Sequence, residues 1–160
     1  MQNPVHESVK VKPEIVRVIK AMVKDGYYRE DDDGKVARLK QMVADICNIY
    51  GVQKPGVTIL LEDWAVANYD SDVTGNIVSN TSIVTTLHEL RHHLQHSANI
   101  QSNSLTLEQD AYAWSIRIFA KAVPKMFERA VKLNRIMALV WSDTLNSPIN
   151  RPEYHQLYSN

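Results

Sequence analysis

The feature that most limits the architectures open to this chain is a double change of hydrophobic period. Up to Tyr50 the apolar residues recur every three or four positions. From Val57 to Ser79 they fall in short β-branched runs, and from Ser82 onward the helical spacing returns. Pro13 opens the first helical stretch, 12–24, with Ile15, Val16, Ile19 and Val23 along one side and Gly26 just beyond its end. After an acidic stretch, 30–33, expected as a solvated loop, a second helix runs over about 35–50 and stops at Gly51. Val57-Thr-Ile-Leu-Leu-Glu62, entered through Pro55-Gly56, predicts a buried strand. Residues 66–69 and 76–79 are two more short runs, and the turn chemistry of 70–75 between them predicts a β-hairpin. Three further helices are expected over about 82–96, 105–121 and 124–143. Helices, then strands, then helices is an α+β order.

At 160 residues the chain is long enough for one domain that buries about two-thirds of its unfolded surface. That domain is expected over 1–145. The tail 146–160, with two prolines and little apolar periodicity, is expected to wrap the surface or lack fixed structure. Eighteen basic and eighteen acidic side chains cancel, so bulk charge gives no reason to expect a nucleic-acid or membrane-surface partner. A single cysteine, Cys47, excludes an internal disulfide and fits a reducing compartment; within an apolar helix it reads as a small buried hydrophobe. The first twenty residues lack the uncharged apolar core of a secretory signal, and no stretch approaches the roughly 18 apolar residues of a membrane span. A soluble, cytoplasmic protein is the expectation.

The segment with the most chemistry is Thr85-Thr-Leu-His88-Glu89-Leu-Arg-His92-His93-Leu-Gln-His96. Residues four apart on a helix differ by about 40° in direction and one turn in height, so His88 and His92 can both place a ring nitrogen at about 2.0–2.1 Å from one Zn²⁺. Glu89 follows the first histidine, where a general base for an activated water belongs. About one chain in ninety of this composition would contain the pattern by accident, as polar residues on an amphipathic helix.

A catalytic zinc wants a third protein ligand. His96 lies about 12 Å along the axis from His88, and His93 points about 140° away, so neither joins His88 and His92 on one ion. Both are expected as surface or satisfied core histidines. The longer pattern with a glycine and a third histidine would need them at Gln95 and Ala98, and it is absent. An acid on the next helix is the remaining option, because a short connection makes the two helices antiparallel neighbours. Glu108 stands near the start of that helix; it can face the metal, or it can be a first-turn glutamate that favours the helix dipole. Asp110, about 200° round from Glu108, is no natural partner on the same ion. It is either a residue that orients a histidine or a plain solvated acid.

The run Asn68-Tyr69-Asp70 … Thr74-Gly-Asn-Ile77-Val-Ser-Asn80 … Thr86-Leu-His88-Glu89-Leu-Arg-His92, followed by Glu108-Gln-Asp110-Ala-Tyr112-Ala113, resembles the catalytic half of small gluzincin-type zinc peptidases. The nearest likeness is to the ImmA/IrrE-type metallopeptidases, in which a hairpin leads into a His-Glu-x-x-His helix. A Glu-Ala-Asn/Asp-x-Phe-Ala motif then supplies the third ligand. The likeness covers about 57–120, with Gln109, Tyr112 and Arg91 as departures; a glycine often precedes the second histidine in that family. It implies a minimal zincin-like domain that hydrolyses a polypeptide substrate, with His88, His92 and Glu108 on Zn²⁺ and Glu89 as base. It also makes Tyr69 a possible substrate contact and 77–80 a sheet-edge platform for an extended peptide.

Tyr69 has the alternative of cross-strand packing, and Tyr112 is either an oxyanion donor or helix packing. No other side chain offers itself as the electrophilic helper. Two other classes remain open: a catalytically silent zinc-binding interaction module on a peptidase scaffold, and a metal-free helical interaction protein.

Overall fold

The computed structural model describes residues 11–61, 68–70, 75–101 and 103–132, with 68–70 and 131 described by their backbone. The remainder of the last expected helix, 133–143, and the tail 146–160 lie outside the described residues, as do the ends of the expected runs at 62 and 66–67. Helix α1, Pro13–Lys24, begins with proline in its first turn and buries Ile15, Ile19 and Met22. A 3₁₀ turn at Tyr27–Arg29 leads to α2, Asp32–Tyr50. The acidic stretch expected as a loop is in part this helix. The Asp31 carboxylate accepts from the Gly34 N–H at 2.8 Å, and Asp32 and Asp33 then favour the positive end of the dipole. Gly51, at φ 67°, ends α2: its N–H donates to the Asn48 carbonyl and that of Val52 to the Cys47 carbonyl, a left-handed cap that glycine adopts without strain.

Strands β1 (Gly56–Ile59), β2 (Asn68–Asp70) and β3 (Asn76–Ser79) form one sheet in the order β1-β3-β2. β2 and β3 are antiparallel, with Tyr69 opposite Ile77, as the hairpin chemistry predicts; β1 runs parallel to β3. β3 is therefore the central strand, and its 76–78 backbone is paired on both sides. The expected platform at 77–80 is corrected: main-chain groups spent on two neighbours cannot hold a peptide. At Gly56 a Cβ would stand 2.2 Å from the Asn76 side-chain oxygen, so a larger residue there requires the Asn76 amide to turn aside.

Helix α3, Ile83–Ser97, is tied to the end of β3 before it starts. The Ser82 hydroxyl caps the Thr85 N–H at 3.2 Å, and the buried Ser79 and Thr86 hydroxyls meet at 2.9 Å. Asn103 caps α4, Ser104–Ala122, through the Thr106 N–H, and α5, Pro124–Lys132, follows directly. Late residues of α3 meet early residues of α4 (Gln95 with Leu107, His92 with Glu108, His88 with Tyr112), so the two helices are antiparallel neighbours. The core lies between these helices and α1 and α2, around Ile15, Ile19, Leu39, Ile46, Leu87, Leu90 and Trp114. Met42 is buried in it and Met126 packs at its margin, whereas Met137 is outside the described residues. The described part is α+β and predominantly helical. No helix within it is long and apolar enough to cross a membrane.

Candidate metal centre

The α3 sequence puts leucines 87, 90 and 94 into the core and turns His88 and His92 towards α4. Their Nε2 atoms are 3.2 Å apart. Glu108 reaches both from α4, with Oε2 at 3.3 Å from His88 Nε2 and Oε1 at 2.5 Å from His92 Nε2. Glu108 lies in the second turn of α4, beyond the first-turn position where a dipole role alone would place it. Glu89 lies beneath the rings: Oε1 is 3.9 Å from His88 Nε2, and the buried Oε2 has no hydrogen-bond partner among the described residues.

His88, Glu89 and His92 form a cluster, with donor atoms within 4.8 Å of one another, that could hold a metal ion. Of the two carboxylates, Glu108 is the closer to both rings. Ligand atoms around a tetrahedral zinc at about 2.0–2.1 Å stand about 3.3 Å from each other. The His88–His92 and His88–Glu108 separations match that edge, and the His92–Glu108 contact is shorter, at hydrogen-bond length. Two imidazoles and one carboxylate are a donor set that can hold a divalent metal ion, and two of the three separations have the spacing of a tetrahedral site.

The surroundings push the two carboxylates apart. Glu108 is nearly half exposed, and hydrogen bonds from His88 and then His92 hold its pKa well below the usual carboxylate range. Glu89 goes the other way: burial raises its pKa, the two imidazoles oppose that rise, and Glu108 adds to it. Burial disfavours charge on His92, but hydrogen bonds to Glu108 and Gln95 outweigh it and its pKa is raised.

Asp110 is engaged with Arg91 and Gln95: it is buried in a bidentate pair with the arginine, at 2.7 and 3.1 Å, and it accepts from the amide at 2.8 Å. Solvated it is not. Arg91, where the resembled family often carries glycine, is fully buried with its guanidinium over the Trp114 ring. Tyr112 leaves the core and lies partly exposed against His88, ring centroids 4.2 Å apart. For Tyr69 the backbone is in β2, while its side chain is outside the described residues. His93 is a satisfied core histidine whose Nε2–H donates to the Gln53 carbonyl at 2.6 Å, and His96 faces solvent. Cys47 is buried, its thiol pushed up to about 11 by burial.

Gln95 is the site residue that the sequence did not disclose. It accepts from His92 Nδ1 at 2.8 Å, and its own position three residues after His92 is the only signal that pointed to it. No protein-family model, no curated protein and no solved structure matches this chain.

Proposed function

We propose that the protein is a zinc-dependent metallopeptidase of the gluzincin kind, acting on a polypeptide substrate. The observation that carries this is the meeting of two imidazole nitrogens and a carboxylate from the neighbouring helix at zinc-ligand spacing, with a second, buried carboxylate beside them. His88, His92 and Glu108 are the ligands. When bound, zinc lowers the pKa of water towards about 7 and polarises a carbonyl.

The chain's own residues supply the rest. Glu89, raised in pKa by burial, takes the proton of the attacking water on its unpartnered oxygen and delivers it to the departing amine. Tyr112 lies at the exposed side of His88, where its phenol borders the path of an entering substrate. Among the described residues β2 is paired only through β3, so its outer edge, next to α3, is the place for an extended peptide in this proposal.

The test uses full-length protein purified without a histidine tag. Elemental analysis is expected to find about one zinc per chain, and an unfolded protein substrate is expected to be cleaved in a chelator-sensitive way. Zinc without cleavage would mark a silent zinc-binding module, and no zinc would remove the metal altogether.

A further inference from the structure

The two rings at the centre are held by different means. His88 Nδ1 is buried without a hydrogen-bond partner among the described residues, and the ring is fixed by packing against Tyr112. His92 Nδ1, by contrast, faces the Gln95 side-chain oxygen at 2.8 Å. The amide of Gln95 has one possible orientation. Its nitrogen lies 2.9 Å from the Leu107 carbonyl oxygen and 2.8 Å from Asp110 Oδ2, both acceptors only. Turning the amide over would set its oxygen against those two oxygens and forfeit both hydrogen bonds. With the nitrogen so placed, the oxygen must face His92, and an oxygen there accepts only from an Nδ1–H.

We infer that Gln95 is a positioning residue that keeps a proton of His92 on Nδ1, so that Nε2, which donates to Glu108 in the metal-free chain, is the nitrogen that gives up its proton and turns a lone pair to the spot shared with His88 and Glu108. The inference rests on the metal centre described above. Arg91 belongs to the same device: its two hydrogen bonds to Asp110 hold the carboxylate that holds the amide. Gln95, Asp110 and Arg91 are all buried, so the line from Arg91 to Asp110 to Gln95 to His92 runs through the α3–α4 interface, sheltered from competing water. An arginine before the second histidine thus has a task that a glycine cannot perform.

The experiment compares wild type with Gln95→Met, which keeps length and helix propensity but cannot accept from Nδ1. In ¹⁵N-labelled metal-free protein the His92 Nδ1 proton is expected to be protected from solvent exchange, and in Gln95→Met that protection is lost. Zinc affinity, measured by competition with a chromophoric chelator on the folded fraction, is expected to fall about ten- to a hundredfold. An unprotected Nδ1 proton in wild type overturns the inference whether or not zinc binds, and so does a folded Gln95→Met with wild-type zinc affinity. Should Gln95→Met not fold, the wild-type proton alone decides. A wild type that protects this proton but binds no zinc would sink the metal centre and still leave Gln95 as the group that sets the tautomer.

Discussion

Glu89 and Glu108 address the same pair of imidazoles from opposite kinds of surroundings, and this sorts their roles. In the roles proposed here a ligand must stay ionised, and hydrogen bonds from His88 and His92 hold the Glu108 pKa low. A base must be able to hold a proton for a moment, and burial lifts the Glu89 carboxyl towards that condition. Glu89→Gln is therefore expected to keep about one zinc per chain while hydrolysis drops by about 10²–10⁴-fold, read by elemental analysis and a peptide-release assay. His92→Ala is expected to lose zinc and hydrolysis together; a folded His92→Ala with full zinc content would contradict the ligand set. His88, Glu89 and His92 are legible in the sequence because four residues make one helical turn, a relation that needs no knowledge of the fold. Glu108 is legible from its place on the next helix as one of two readings, and likeness to a motif favours the ligand. Gln95 and Arg91 are not, because their partners Leu107, Asp110 and Trp114 sit on another helix whose register no local pattern states.

Helices α3 and α4 carry all four carboxylate and imidazole groups of the centre between them, so their apposition is what the site requires. Arg91 and Asp110 are buried to within about 1% of full burial on that seam. Removing one partner leaves an uncompensated charge there, and Arg91→Met is expected to lower unfolding stability by about 3–5 kcal/mol in urea titrations. The double variant Arg91→Met/Asp110→Leu is expected to recover most of that loss, which a double-mutant cycle measures directly. Some helix ends are readable in advance because their chemistry is local: Pro13 and Gly51 each act within a few residues, whereas the caps at Asp31 and Asn103 lie in polar stretches that read equally well as loop. Gly51→Ala adds a Cβ that meets nothing within 4 Å but must hold a left-handed φ of 67°, so it is expected to cost about 1 kcal/mol. Strand order is another matter. Three short runs of similar character carry no local mark of which is central, and the place of β3 between β1 and β2 is fixed by its packing on α3. That is why the antiparallel pairing of β2 with β3 is foreseeable and the expectation of β3 as a sheet edge fails.

The stability of the whole chain is coupled to proton and metal in ways that can be given a sign. On the alkaline side, burial raises the pKa of Cys47, to about 11, and that of Tyr27, so the folded chain holds protons that the unfolded chain has released. Stability is expected to fall as pH rises above about 9. In the metal-free chain His92 and Glu108 form a pair with the opposite limits. The lowered Glu108 pKa contributes stability above the ordinary carboxylate range that is lost as pH falls, and the raised His92 pKa contributes stability at low pH that is lost as pH rises through the folded value. In the proposed centre zinc would compete with protons for these groups and bridge α3 to α4, which the unfolded chain cannot do. At free zinc about a hundredfold above Kd the linkage adds about 2.7 kcal/mol, and at about 2–4 °C per kcal/mol the melting temperature is expected to rise by about 5–10 °C. Because protons displace the ion from both imidazoles, that zinc-induced rise is expected to shrink between about pH 7.5 and pH 5.5. It is expected to persist in Glu89→Gln and vanish in His92→Ala. Calorimetry of the three chains with and without chelator measures this pattern, and an equal rise in wild type and His92→Ala would mean that zinc binds elsewhere on the molecule.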